Sequence, residues 1–271
     1  MQASSTPGSE ALGLARRIGA VLALDPGAPA IEFEGRWHTW REIAQVGDDV
    51  IAALDDLGAD GAGTGEPVGI LLRNDPASIG LLLGVLRARA CAVVLNPALG
   101  AARLADDLDG LDLSLITGSR ADLDTLVPAA VAGRVATLSV GSAAFGARCS
   151  LPNHTSESRA LPGVAIRMIT SGINVPPERI DLRATMLESV LRGATHDDAA
   201  PIDDLRLRDG VVIVHEPLVH VAGIFGVLQA VLDGHRIALS SELAEAFTAR
   251  YGVPVVSDTF DRAAVRALFP A

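Results

Sequence analysis

A run of small polar residues stands directly after an apolar stretch near the middle of the chain. Thr170, Ser171 and Gly172 follow residues 164–169, whose apolar character predicts a buried strand. A buried strand that ends in such residues can present hydroxyl groups and backbone N–H groups to a phosphate. The run therefore predicts a phosphate-binding loop, and the alternative is a turn that is kept for structural reasons alone.

A histidine in the second half of the chain is the other candidate. His220 directly precedes a stretch that predicts a helix, and an imidazole at a helix amino end is well placed to meet an anion. The alternative is a histidine that only caps the helix. Four residues separate His215 from His220, whereas the His-Glu-x-x-His zinc pattern has three between its histidines. We predict no metal site here.

The composition excludes several classes of protein. The chain has 271 residues, of which 49% are hydrophobic, so we expect a globular protein with a sizeable core. Its formal net charge is −11 and no basic cluster stands out, which argues against nucleic-acid binding. Because none of the basic residues is a lysine, this chain cannot supply a catalytic lysine or form a Schiff base.

The cysteines and the amino-terminal residues bear on the location of the protein. Cys91 and Cys149 are too few for a disulfide framework and lack metal-ligand spacing, which predicts inert thiols in a reducing cytoplasm. The amino terminus lacks the basic region and apolar run of a signal peptide. The apolar stretch 79–95 contains Arg87 and Arg89, which favours soluble core over a transmembrane segment.

Two kinds of apolar pattern alternate along the chain. Short continuous runs at 68–72, 92–95 and 164–169 predict buried strands, and longer stretches of helical periodicity lie between them. Thr39 and Glu42 predict a capping box that starts one of these helices. Residues 30–34 and 36–39 predict two short strands of a hairpin around Glu34-Gly35, and the small and polar residues of 141–158 predict a linker or surface loop. The alternation predicts an α/β fold of parallel sheets flanked by helices. We expect two lobes, one over residues 11–160 and a second, incomplete one over residues 161–271.

Several of these stretches resemble motifs of one superfamily, the acyl-adenylate-forming enzymes, which include AMP-dependent acyl-CoA synthetases, luciferases and nonribosomal adenylation domains. Residues 170–178 resemble its phosphate loop, Thr-Ser-Gly-Thr-Thr-Gly-x-Pro-Lys, and residues 217–223 match its Pro-Leu-x-His-x-x-Gly. Residues 35–43, 68–74 and 92–97 match three earlier motifs in the same order. In the phosphate loop Ile173 and Asn174 stand at the two Thr positions, Val175 at the second Gly and Glu178 at the Lys, next to Arg179, which could partly compensate.

The resemblance implies a fold and a reaction. The fold would be the N-terminal domain of an adenylate-forming enzyme, and the reaction would join a carboxylate to AMP and pass it to a thiol. ATP with Mg, and coenzyme A or phosphopantetheine, are the implied cofactors. A carboxylic or fatty acid is the implied substrate, which points to fatty acid metabolism. On this resemblance Thr170, Ser171 and Gly172 bind the ATP phosphates, and His220 and Gly223 line the acyl pocket.

The resemblance covers only about the first half of the superfamily pattern. The adenine-binding Gly-Tyr-Gly-x-Thr-Glu segment, the ribose-binding Asp, the hinge and the C-terminal domain with its catalytic Lys have no match in this chain. We therefore assign no catalytic residue and expect an incomplete ligase that needs a completing subunit or a carrier protein. The alternative is a non-catalytic module that binds an acyl ligand or docks a biosynthetic partner. Either form could be a homodimer.

Overall fold

The fold is seen in a computed structural model, which describes residues 12–58, 65–141, 147–150, 159–169, 178–194, 205–256, 263 and 265. Two β-sheets with helices on their faces make up this part of the chain. The strands are β1 (Pro29–Phe33), β2 (Arg36–Thr39), β3 (Pro67–Leu71), β4 (Cys91–Leu95), β5 (Leu115–Ser119), β6 (Ala136–Val140), β7 (Ala147–Ser150), β8 (Val164–Ile169), β9 (Arg179–Arg183), β10 (Val211–Ile213), β11 (Arg236–Ala238) and β12 (Val255–Val256). The helices are α1 (Leu12–Leu24), α2 (Trp40–Asp56), α3 (Pro76–Arg87), α4 (Gly100–Leu108), α5 (Arg120–Leu126), α6 (Ala129–Ala132), α7 (Ala184–Ala194), α8 (Val221–Leu232) and α9 (Ala244–Tyr251).

The larger sheet has seven strands in the order β7-β6-β5-β3-β4-β8-β9. Its central strands β6, β5, β3, β4 and β8 are parallel, and β7 and β9 are added antiparallel at the two edges. Every residue of β3 and β4 is buried, as expected for parallel strands covered by helices on both faces. The prediction of an α/β fold with parallel sheets flanked by helices is confirmed.

The smaller sheet has five strands in the order β12-β10-β11-β1-β2. The β1–β2 hairpin, predicted from sequence, comes from the first part of the chain and pairs through β1 with the late strand β11. Strands β8 and β9, in contrast, belong to the larger sheet. Both sheets therefore draw strands from either side of residue 160, and the division into domains at that residue stays a prediction.

The strands alternate their side chains between two hydrophobic clusters. In β4, Ala92 and Val94 face the larger cluster, which includes residues of both sheets and of α1, α2, α3, α7 and α8. Cys91 and Val93 face the opposite side, where α4 and α5 cover the seven-stranded sheet. This is the period of two expected of a strand buried on both faces.

Local sequence signals account for where the helices begin. The predicted capping box of α2 is present, because Glu42 N–H donates to Thr39 Oγ1 at 3.3 Å and Thr39 N–H donates to Glu42 Oε2 at 2.6 Å. At α3, Ser78 N–H donates to Asp75 Oδ1 at 2.7 Å and Pro76 occupies the first turn. None of the described helices combines the length and apolar character that a membrane crossing requires.

Two of the strands were not expected from the sequence. Strand β7 falls within residues 141–158, whose small and polar residues predicted a loop, and it pairs antiparallel with β6 at one side of the sheet. Strand β9 follows the predicted phosphate loop and pairs antiparallel with β8. Both are edge strands, held by one neighbour each, so pairing with the sheet decided their conformation more than their own sequence did.

Candidate functional site

The site lies where the parallel strands of the seven-stranded sheet end, a side of the sheet that we call its carboxyl edge. Strands β3, β4 and β8 run parallel, so Leu71, Leu95 and Ile169 all end at this edge. Ligands of open α/β sheets bind outside the carboxyl ends of the strands. Since only β4 lies between β3 and β8, the ends of those two strands are about 10 Å apart. The segments that follow β3 and β8 therefore lie at the same edge of the sheet.

The predicted phosphate loop begins at this edge. Thr170, Ser171 and Gly172 lie outside the described residues, and their role in phosphate binding stays a prediction. The described residues on either side are paired, with Ile169 opposite Arg179 in the antiparallel β8–β9 ladder. The two ends of the segment 170–177 are thus fixed next to each other at the carboxyl end of β8.

The loop before α8 is joined to the same edge by one hydrogen bond. Asn74 follows β3, and its side-chain Oδ1 accepts from the backbone N–H of Leu218 at 2.7 Å, across 144 residues of chain. The Leu218 side chain is fully buried, and the turn 217–220 that contains it is closed by His220 N–H donating to the Pro217 carbonyl at 2.9 Å. The Pro-Leu-x-His segment is therefore fixed against the end of β3.

Gly223 has a steric reason to be glycine. A Cβ at this position would lie 2.3 Å from the Pro217 carbonyl oxygen and 2.8 Å from the Glu216 carbonyl oxygen. Both atoms are backbone, so a larger side chain would require the loop itself to move. The first turn of α8 can pack against the loop because this position has no side chain. Its predicted contact with an acyl group stays a prediction.

His220 is the N-cap residue of α8 by position, with φ −105° and ψ 149°. Its side chain makes no hydrogen bond to the amino end of the described helix, and it is exposed. The alternative of a side chain that only caps the helix therefore has no support. An exposed imidazole beside free helix N–H groups can donate to a carboxylate, and the helix dipole favours that anion. Within the described ranges, no cluster of three His, Cys, Asp or Glu side chains could hold a metal ion.

An ion pair that sequence reasoning missed stabilises this edge. Arg73 donates to Asp122 through Nε at 2.7 Å and through Nη2 at 2.6 Å, which joins the end of β3 to α5. The Arg73 guanidinium holds the pKa of Asp122 below its ordinary value of 3.8, against the effect of burial, and the Ser119 hydroxyl helps to lower it. Arg73 is thus already engaged by a carboxylate. The same strand end carries Asn74, whose contact with Leu218 sequence reasoning also missed.

Arg179, predicted to offset the charge of Glu178, is engaged elsewhere. Its Nη2 donates to the Asp107 carbonyl at the carboxyl end of α4, at 2.9 Å. Burial lowers the pKa of Arg179, and the nearby Asp107 carboxylate acts in the opposite direction. Glu178 itself is exposed next to the predicted phosphate loop. This hydrogen bond connects the base of the loop to α4.

Solved structures share this arrangement of sheets. CmiS6 aligns with a TM-score of 0.63 and 14% identity over 93% of this chain and 60% of its own. Apo MatB from Rhodopseudomonas palustris aligns with a TM-score of 0.61 and 17% identity over 87% and 47%. The anthranilate CoA ligase AuaEII, in complex with anthranoyl-AMP, aligns with a TM-score of 0.59 and 16% identity over 88% and 45%. The chain thus spans between 45% and 60% of the length of these structures.

Comparison of this sequence with models of protein families identifies one family. A search of curated proteins returns no significant match. The family model described as AMP-binding enzyme matches residues 20–256, which include the loop at residues 170–178, Asn74 and the segment before α8. The chain therefore belongs to the family of AMP-binding enzymes.

Proposed function

We propose that this chain is the carboxylate- and phosphate-binding part of an adenylate-forming ligase. The observation that carries the proposal is the hydrogen bond between Asn74 and Leu218, which fixes the loop before α8 at the edge where β8 ends. Membership of the AMP-binding family supports the same proposal. So does the fold it shares with AuaEII, a CoA ligase whose structure contains anthranoyl-AMP.

The proposed reaction has two steps. A carboxylate oxygen of the substrate attacks the α-phosphorus of Mg-ATP, the bond to the bridging oxygen breaks, and acyl-AMP and pyrophosphate form. A thiol of coenzyme A or of a carrier phosphopantetheine then attacks the acyl carbon, loses its proton and displaces AMP. Both steps create or move negative charge, so donors placed in advance at the phosphates and at the carboxylate favour them.

The residues of this chain would bind and orient the reactants. Thr170 and Ser171, with the backbone N–H groups around Gly172, would hold the phosphates. His220 would donate to the substrate carboxylate from the amino end of α8. Gly223 allows the first turn of α8 to pack on the loop before it, and this packing would help to bring the His220 side chain to the substrate. Since the chain contains no lysine, a lysine that assists adenylation must come from a completing subunit or segment.

A fatty acid is our first choice of substrate among carboxylic acids, because the resemblance to acyl-CoA synthetases points to that class. A carrier protein that bears phosphopantetheine is the corresponding partner. The usage of cysteine favours a cytoplasmic location, with Cys91 reduced and buried.

A second function is favoured by the changes in the phosphate loop. Ile173, Asn174, Val175 and Glu178 replace the two Thr, the second Gly and the Lys of the superfamily motif. A chain that has lost nucleotide binding could keep the acyl-binding loop as a non-catalytic module, which holds an acyl ligand or docks a biosynthetic partner. The ligase and the module differ in whether the nucleotide and the carboxylate bind cooperatively.

Calorimetric titration with a series of carboxylic acids, with and without Mg-ATP, distinguishes the two functions. The ligase predicts that Mg-ATP changes the carboxylate affinity and that His220→Ala weakens it about tenfold, as expected for loss of one charge-assisted hydrogen bond. The control is His215→Ala, which removes an exposed histidine two residues after β10. Binding that is insensitive to Mg-ATP would favour the module, and binding that is insensitive to His220→Ala would exclude the proposed role of His220.

A further inference from the structure

A cleft lies at the other end of the seven-stranded sheet, where its parallel strands begin. Its volume is about 530 Å³, and its walls are the loop 110–113 after α4 and the segment 159–164 before β8. Pro67 and Val164, which begin β3 and β8, line it. The carboxyl ends of these strands, beyond which the candidate site lies, are roughly 15 Å further along. Arg167, two residues before the end of β8, also lines the cleft, so the lining extends to within roughly 7 Å of that end. The cleft thus opens at the amino ends of the strands, away from the start of the predicted phosphate loop.

Backbone hydrogen bonds fix one wall of the cleft on both sides. Leu161 N–H donates to the Gly65 carbonyl at 2.8 Å, next to the start of β3. The Gly163 carbonyl accepts from Ala184 N–H at 3.0 Å, at the start of α7. Gly65 has φ +72°, and a Cβ there would lie 2.2 Å from the Leu161 carbonyl oxygen. This close approach is possible only without a side chain, so the wall is held in place by the main chain.

Three arginines line the cleft of a protein whose net charge is −11. Arg167 is engaged by Asp181 in a two-point ion pair, with contacts of 2.6 and 2.8 Å. The Asp181 carboxylate lines the cleft too and interacts electrostatically with Arg183. Arg159 and Arg183 are exposed, and in the part of the chain that the structure describes neither forms a contact ion pair or a side-chain hydrogen bond. Two cationic side chains at one cleft, with hydrogen-bond donors not engaged, can bind an oxyanion.

One further charged residue of the cleft, Asp112, limits which class of ligand can bind there. Asp112 lines the cleft as well, and a carboxylate at an anion site disfavours a second negative charge but accepts hydrogen bonds from hydroxyl groups. The volume lies in the range of ligand pockets for small organic molecules. We propose that this cleft binds a phosphomonoester of a hydroxyl-bearing molecule, such as a sugar phosphate. Arg159 and Arg183 hold the phosphate and Asp112 accepts from a hydroxyl group.

Calorimetric titration of the full chain with ribose 5-phosphate tests the proposal, with ribose as the ligand that lacks the phosphate. We expect the phosphate ester to bind and ribose not to bind. Combined substitution of Arg159→Gln and Arg183→Gln should weaken binding at least about tenfold, because two charge-assisted contacts are lost. The matched control is Arg120→Gln with Arg134→Gln, which removes the same charge from exposed positions on α5 and after α6.

Any of four results would overturn the proposal. Three of them are no binding of ribose 5-phosphate to the unchanged protein up to about 10 mM, an equal loss of binding in the control variant, and an unchanged affinity in the variant with both cleft arginines replaced. The proposal does not rest on the proposed function, and a further variant separates the two. Thr170→Ala with Ser171→Ala alters the predicted phosphate loop and should leave ribose 5-phosphate binding within about twofold of the unchanged protein. Loss of binding in that variant would assign the ligand to the other edge of the sheet and overturn the proposal.

Discussion

Replacing Gly223 by alanine tests how closely the loop before α8 packs on that helix. The new Cβ would lie 2.3 Å from the Pro217 carbonyl oxygen and 2.7 Å from the Pro217 carbonyl carbon, so the loop before α8 must shift. Overpacking of this kind costs about 1–3 kcal/mol. Alanine also favours a helix over glycine by about 1 kcal/mol, which would partly mask that cost.

Gly19→Ala supplies the control that removes this ambiguity. Gly19 lies within α1, and a Cβ there would meet only the Arg87 Nε atom, at 3.9 Å. Both variants gain the same helix propensity, so the difference between their free energies of unfolding isolates the steric cost, about 1–3 kcal/mol. In thermal denaturation, the midpoint temperature of Gly223→Ala should lie below that of Gly19→Ala by roughly 2–4 °C for each kcal/mol of this steric cost. Equal midpoints would refute the close packing of the loop on α8.

Three further outcomes are expected. Asn74→Ala should lower stability by about 1 kcal/mol and weaken carboxylate binding, because the Leu218 N–H loses its acceptor, whereas Asn74→Asp keeps an acceptor and should restore both. Stability should fall as the pH drops below about 3.8, since Arg73 lowers the pKa of Asp122 in the folded protein, and urea titrations of Asp122→Asn should lack this part of the acid loss. Cys91 should resist thiol reagents at pH 8 until the protein unfolds, because burial raises its pKa to about 12.

Local patterns in the sequence predicted much of this architecture. The capping box of α2 depends on two residues three positions apart, and the hairpin β1–β2 on the short Glu34-Gly35 connection between two strands, so both are visible in a single stretch of chain. The buried parallel strands are likewise visible as continuous apolar runs. Each of these elements follows from neighbouring residues, and each is present.

The features that sequence reasoning missed depend on distant partners. Strand β9 has alternating apolar residues at Ile180 and Leu182, but it is short, and its pairing with β8 is what makes it a strand. The bond between Asn74 and Leu218 joins residues 144 positions apart, and nothing in either stretch indicates the other. Edge pairing and cross-chain hydrogen bonds are set by the tertiary fold, and one sequence does not specify them locally.

The most direct test of the account is calorimetric titration with Mg-ATP of the unchanged protein and of Glu178→Lys. Glu178 stands exposed at the end of the predicted phosphate loop, where the superfamily has a lysine. Exchanging an anion for a cation about 4 Å from a phosphate should tighten binding at least about tenfold even in water. We predict that the unchanged protein binds Mg-ATP at micromolar to low-millimolar concentration and that the variant binds it more tightly. If neither protein binds, residues 170–178 are not a nucleotide site, and the non-catalytic module becomes the better account of this chain.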